Sequence, residues 1–211
     1  MILVASMTPS IILKVSHVLA THRKMYWTEE DDNNLGIIVS GGMDGSGLKP
    51  LVKEGLQHPT SIIADVHFGL YWVDSTRHDI EHGAIEKEKI WTWTFVPSSY
   101  DNYRPVHLSA SRGKLYCAGV DGNLSAVFRA NLLYHSGVED YVRIANFTSH
   151  INGLCIFDTA QEVREGRANP CASGSSCPGI CLLSGRSSFR CVCPVGLELN
   201  GSSCVGVFRI L

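Results

Sequence analysis

The first 170 residues contain only two cysteines, Cys117 and Cys155, so no disulfide framework holds that part of the chain together. Its fold has to come from burial, and a chain of 211 residues that is 45% hydrophobic is long enough to bury a core. A charge excess is missing as well. Lys and Arg number 18 against 20 Asp and Glu, and the net charge of −2 offers no broad attraction to nucleic-acid phosphates or anionic membranes. Long hydrophobic runs are also absent: the longest candidate, Met1 to Val15, is broken by Thr8, Pro9, Ser10 and Lys14 and falls short of the ~20 apolar residues of a spanning helix. No nucleic-acid partner and no direct membrane insertion are expected. The same stretch has no basic residue before Lys14 and no clear small-residue cleavage site. It reads as a strand of a folded domain in a chain that begins inside a longer parent, rather than as an export signal.

Catalytic motifs are scarce too. There is no Gly-x-Ser-x-Gly elbow, and the glycine-rich stretch from Ser40 to Gly47 lacks the Gly-Lys-Ser/Thr of a phosphate-binding loop, so a turn is expected there. His78-Asp79-Ile80-Glu81-His82 fits the pattern of an inverted zinc peptidase, which requires a helix. No segment shows sustained helical periodicity. On a strand, positions four apart are separated by ~13 Å and cannot both come within ~2 Å of one zinc ion. No convergent acid and base can be named, so neither an enzyme nor a cofactor is expected.

What is present is a repeat. Tyr26-Trp27-Thr28-Glu29, Tyr71-Trp72-Val73-Asp74 and Tyr116-Cys117-Ala118-Gly119 follow one another at intervals of 45 residues. His58-Pro59-Thr60-Ser61-Ile62-Ile63, Arg104-Pro105-Val106-His107-Leu108-Ser109 and His150-Ile151-Asn152-Gly153-Leu154-Cys155 are spaced by 46. A fainter third marker runs through Ile38 to Gly45, Ile80 to Glu86 and Val127 to Leu133. Within each unit, short runs rich in Val, Ile and aromatic residues alternate with Asp-Gly, His-Phe-Gly and Ser-Arg-Gly turns, which predicts four short strands per unit. A four-stranded unit of this length is a β-propeller blade. Neighbouring side chains of a strand point to opposite faces, so Tyr71 fills one layer between blades and Trp72 the next, while Asp74 accepts backbone hydrogen bonds. Tyr26, Trp27, Tyr71, Trp72, Asp74 and Tyr116 are thus structural positions.

These residues resemble the low-density lipoprotein receptor class B repeats, whose signature is Tyr-Trp-Thr-Asp. Gly69-Leu70-Tyr71-Trp72, Gly113-Lys114-Leu115-Tyr116 and Arg129-Ala130-Asn131-Leu132 extend the likeness. Each unit departs from the signature: Glu29 replaces the Asp, Val73 replaces the Thr, and Cys117, Ala118 and Gly119 erode the third copy. The resemblance implies an all-β fold whose closed form has six blades, roughly 270 residues at this period. This chain holds three to four, the C-terminal half of an incomplete propeller, and is expected to be a fragment.

The remaining six cysteines, Cys171, Cys177, Cys181, Cys191, Cys193 and Cys204, crowd into the last 41 residues. They allow fifteen pairings, and spacing does not choose among them. Zinc is not expected, because Cys191-x-Cys193 is not the usual ligand spacing and the tail has no His. Disulfides argue for an oxidising, extracellular compartment. The sequons at Asn123, Asn146 and Asn200 are candidate glycosylation sites in keeping with it. Asn169-Pro170-Cys171 and Cys193-Pro194-x-Gly196 give the tail a resemblance to an EGF-like module of the lipoprotein receptor type, which implies the bonds Cys171–Cys181, Cys177–Cys191 and Cys193–Cys204. Calcium is not expected there, since Arg167-Ala168-Asn169-Pro170 and Leu183 stand where calcium-binding members place acidic or amide groups. Cys117 and Cys155 either pair with each other or are both small buried thiols.

The expected division is a partial propeller over 1–162, a linker over 163–170, an EGF-like domain over 171–204 and a tail over 205–211. The resemblance implies the ligand-binding part of an extracellular or cell-surface lipoprotein receptor-related protein, endocytic or signalling, whose parent spans the membrane once. A real truncated chain would be secreted. Its partners would be extracellular protein ligands and neighbouring modules. A nidogen-like basement-membrane linker is the alternative, and a secreted propeller hydrolase a distant third. His58 and His150 share one repeat position and are candidate pH-sensitive groups for endosomal release.

Overall fold

The computed structural model describes residues 15–19, 24–31, 33–65, 69–86, 89–95, 102–133, 137–156, 170–172, 177–184 and 188–206. Among them there are only strands and turns. The first sheet comprises β1 (Val15–Leu19), β2 (Lys24–Glu30), β3 (Gly36–Gly42) and β4 (Lys49–Val52). The second comprises β5 (Pro59–Asp65), β6 (Gly69–Asp74), β7 (Asp79–Glu86) and β8 (Lys89–Phe95), and the third β9 (Tyr103–Ser111), β10 (Lys114–Asp121), β11 (Leu124–Leu133) and β12 (Gly137–Phe147). Each sheet is a four-stranded antiparallel meander paired in sequence order. The first strands abut, β1 against β5 and β5 against β9, so the sheets fan out from a common inner edge. This is the blade arrangement of a propeller that stops short of closure.

Turn chemistry fixes these meanders locally. Ser111 pairs with Lys114, leaving Arg112 and Gly113 as a two-residue turn with φ of 50° and 68°. Positive φ at both central residues is the turn whose twist matches that of the flanking strands. Gly119 marks the point where β10 slips register against β9, and a Cβ there would run into the Arg104 carbonyl.

Strand alternation builds two seams. Tyr26, Ile38 and Val52 of the first sheet, with Leu56 from the segment between β4 and β5, meet Ile62, Ala64, Leu70 and Trp72 of the second. On the opposite face of the second sheet, Ile63, Tyr71, Val73 and Ile80 meet Leu108, Leu115, Cys117 and Phe128 of the third. Trp72 is 0% exposed and Tyr71 1%, yet the two rings lie in different seams, as alternation along β6 requires. Each such side chain contributes roughly 1.5–3 kcal/mol by leaving water.

The tail is built differently. Hairpins β13 (Ile180–Ser184) with β14 (Ser188–Val192) and β15 (Leu197–Asn200) with β16 (Ser203–Gly206) contain no buried residue among those described. Disulfides stand in for a core: Cys171–Cys181, Cys177–Cys191 and Cys193–Cys204, with Cα separations of 5.7, 5.5 and 5.6 Å. By the chain-entropy argument each contributes about 3 kcal/mol.

Candidate functional site

Asp74 closes the Tyr-Trp strand of the second sheet with a carboxylate shut off from solvent. Its Oδ2 accepts the Gln57 amide at 2.7 Å, and its Oδ1 accepts the amides of His58 at 3.3 Å, Thr76 at 3.1 Å and Arg77 at 3.4 Å. Burial pushes the carboxyl pKa up, but these four donors outweigh it and hold the group below the usual carboxylate range. The side chain thereby ties the approach to β5 to the β6–β7 turn.

Arg77 lies beside this anchor. Its Nε is 3.8 Å from Asp74 and 3.5 Å from Asp79, and its Nη2 pairs with Glu81. Glu81 also accepts the Trp72 indole N–H at 2.5 Å, linking the first seam to the ion network. Asp79 is pushed above the ordinary carboxylate range, chiefly by burial, with the neighbouring Glu81 and Asp74 charges adding to it against the pull of Arg77. Sequence reasoning missed this network, because it depends on the register that sets Trp72 opposite Glu81. In the first sheet the Trp27 indole turns instead to Glu29, two residues along the same strand.

The histidines separate. His58 Nδ1 is 3.3 Å from Glu30 at the end of β2, a contact across the first seam, and its side chain is 45% exposed. His150 is exposed in the irregular segment after β12. His78 sits in a turn with φ of 59°, whereas His82 is buried on β7 and stacks on Tyr71 at 4.4 Å. The strand-and-turn reading of the His-x-x-Glu-His stretch therefore describes the backbone found. The stretch from Ser40 to Gly47 covers the end of β3 and the turn toward β4.

The two cysteines outside the tail do not pair. Cys117 is buried, and burial pushes its thiol up to about 12; the Tyr103 hydroxyl donates to its carbonyl at 3.0 Å. Cys155 is exposed, which corrects both sequence alternations: neither a mutual disulfide nor two buried thiols is found. The physical reason is that no strand of the described residues covers the segment bearing Cys155. Asn123, in the β10–β11 turn, Asn146, on β12, and Asn200, at the end of β15, are all exposed.

The outer face of the third sheet is open among the described residues. Tyr26 and Tyr71 are buried in seams, but the equivalent Tyr116 is only half-buried. Val142 and Phe147 on β12 are 45% and 46% exposed. A second feature not foreseen from sequence joins the inner strands. The Ser61 hydroxyl accepts the Leu108 amide at 3.0 Å, and the Ser109 hydroxyl accepts the Ile156 amide at 3.0 Å. The first joins β5 to β9, and the second carries the pattern past β9 to the segment of residues 151–156.

Residues 23–66 match the family described as low-density lipoprotein receptor repeat class B. That span starts before β2 and runs through β5, so the unit recognised in sequence bridges the first seam instead of coinciding with one sheet. Among curated proteins, the vitellogenin receptor of Solenopsis invicta is 25% identical over 186 residues, 87% of this chain and 10% of that protein. Low-density lipoprotein receptor-related protein 5 of Mus musculus is 26% identical over 177 residues, 83% of this chain and 10% of that one. The human counterpart is 25% identical over 177 residues. The chain thus spans about 10% of the length of these relatives. Among solved structures, a nidogen/laminin complex is similar with 18% identity and a TM-score of 0.39 over 66% of each chain. Residues 23–66 thus match a low-density lipoprotein receptor class B repeat, and over most of its length the chain is similar to a vitellogenin receptor and to low-density lipoprotein receptor-related protein 5.

Proposed function

We propose that the chain is part of the ligand-binding region of an extracellular lipoprotein receptor-related protein with an endocytic or signalling role, and that it has no catalytic activity. The observation that carries this reading is the second sheet, sealed on both faces, which makes a rigid support whose turns and loops are left to contact protein ligands. Its relatives are receptors, one of them for vitellogenin. In this reading residues 1–162 are a partial propeller, 163–170 a linker, 171–204 an EGF-like domain and 205–211 a tail. Residues 1–14, 157–169 and 207–211 lie outside the described ones. Asn123, Asn146 and Asn200 are the glycosylation sites of this reading.

Surface plasmon resonance on the oxidised chain, with purified vitellogenin and low-density lipoprotein as probes, tests it. Saturable binding of either probe at about pH 7.4 that is lost when the sheets are unfolded in urea is the expected result. Responses to both that never exceed those of an unrelated disulfide-rich module would overturn it. The same experiment at about pH 5.5 with His58→Asn and His150→Asn decides whether these side chains govern release, since an unaltered pH response excludes them.

A further inference from the structure

We propose that Asn146 carries an N-linked glycan that shields the outermost strand of the third sheet from other chains. The inference deepens the proposed reading and rests on its extracellular placement, not on the ligand. Asn146 is exposed on β12, which pairs only with β11 among the described residues. The strand slips register against β11 between Arg143 and Ala145, and Ile144 is left over at the bulge. Val142, Ile144 and Phe147 are 45%, 48% and 46% exposed, all within ~13 Å of Asn146 at ~3.3 Å per strand residue. An unpaired edge beside apolar side chains is a template for strand addition by a second copy, and natural sheets blunt such edges. The sequon lies at that place, since Thr148 follows Asn146 two positions on and is exposed.

The amide is already oriented for this. Arg143 Nη1 donates to Asn146 Oδ1 at 3.3 Å, and a guanidinium has no acceptor, so the amide turns its oxygen to Arg143 and not its nitrogen. Arg143 is itself held, by its ion pair with Asp121 and by its seat over the Phe128 ring at 5.1 Å. Transfer joins Asn146 Nδ2 to the anomeric carbon of an N-acetylglucosamine. The bond from that carbon to the pyrophosphate of a lipid-linked oligosaccharide breaks, the lipid pyrophosphate leaves, and Nδ2 gives up one proton. Oδ1 takes no part, so the Arg143 bond persists in the product. Neither of the other sequons lies on an outermost strand of this sheet: Asn123 is in the β10–β11 turn and Asn200 ends β15. A branched oligosaccharide on Asn146 occupies the space that an added strand needs, ~4.8 Å from β12, and its C–H faces lie against Phe147 and Ile144.

The full chain is secreted from cultured animal cells behind a cleavable leader, and occupancy is read by mass spectrometry after peptide-N-glycosidase release in heavy-oxygen water. Asn146 is expected to be occupied, and Thr148→Ser to keep the sugar while Thr148→Ala loses it. In sedimentation at micromolar concentration the glycosylated chain is expected to stay monomeric. Loss of the sugar, by enzymatic release from the folded chain or by Thr148→Ala, is expected to tighten self-association about tenfold, the equivalent of one apolar side chain buried at the contact. In the glycan-free chain the amides of residues 142–147 are expected to gain protection from exchange as association proceeds. An unoccupied Asn146, sugar on Asn123 or Asn200 alone, or equal association with and without the glycan would each overturn the proposal. The receptor reading fails by a different measurement: a chain that carries the glycan and binds neither vitellogenin nor low-density lipoprotein keeps the shield and loses the ligand.

Discussion

Asp74 and Asp79 stand five positions apart on the second sheet, and burial pushes both carboxyls up, yet the amide donors bring Asp74 below the ordinary range while Asp79 stays above it. Four amides donate to Asp74, so Asp74→Ala leaves them without their acceptor and is expected to cost about 3 kcal/mol or more, read as a fall in the urea midpoint at constant slope. The pH sign follows from the lowered folded pKa. Its stabilisation is present above the ordinary carboxylate range and fades as pH falls through the folded value, so the deficit of the variant shrinks in acid. Asp79 is raised, and its contribution runs the other way: it is fully present below the ordinary carboxylate range and lost as pH rises through the folded value. Asp79→Asn is therefore expected to raise the neutral-pH midpoint and to leave the strongly acidic one unchanged. A neutral-pH midpoint that drops would show Arg77 to depend on the Asp79 charge. Asp74 was legible in the sequence because it ends a repeated strand. The roles of Arg77 and Glu81 were not, because their neighbours come from cross-strand register, which no repeat marker reports. Cys155 was misread for a related reason: a sequence shows what a repeat position holds, but not whether the neighbour that would bury it is there.

Strands, rather than single residues, carry the seams, and β6 serves two of them at once. Trp72→Ala and Tyr71→Ala remove rings of similar size from adjacent positions, each at an expected cost of about 3–5 kcal/mol. Their local effects differ. Hydrogen exchange is expected to rise at Ile38 and Ile62 in the first variant and at Phe128 and Leu115 in the second, since these are the seam partners. One shared pattern of exchange in both variants would mean that the seams open together. The four strands per unit and the opposite aim of the two rings were legible, because a period near 45 residues and strand alternation determine them. The phase of the unit was not. The sequence markers begin at the second strand, so the repeat straddles the seam, and only the pairing of β1 with β2 shows where a sheet starts. The His58–Glu30 contact gives a third element-scale expectation. The contact joins two sheets, with His58 Nδ1 3.3 Å from Glu30. For so exposed a pair the contribution is small, about 0.2–1 kcal/mol, and Glu30→Gln is expected to shift the denaturation midpoint by no more than that.

The molecule joins two ways of being stable, and they respond to different agents. In the sheets, burial in two seams does the work, and reduction has no bond to break there because Cys117 and Cys155 are unpaired. In the tail, three bridges replace a core, so a reductant is expected to unfold that module while the strand signal of the sheets persists. The fan itself ends on an apolar surface. Val142 and Phe147 are nearly half exposed on β12, an outermost strand whose far edge has no partner among the described residues. Exposed apolar side chains beside an open edge favour association between chains, and charge on such strands opposes it. Val142→Lys with Phe147→Lys is therefore expected to raise the monomeric fraction in sedimentation at micromolar concentration. The thermal midpoint of the sheets should be left within about 0.5 kcal/mol of its equivalent, as for surface changes. If the double variant loses that midpoint instead, the two side chains belong to the third sheet's own packing, and the open face must be sought around Tyr116 alone.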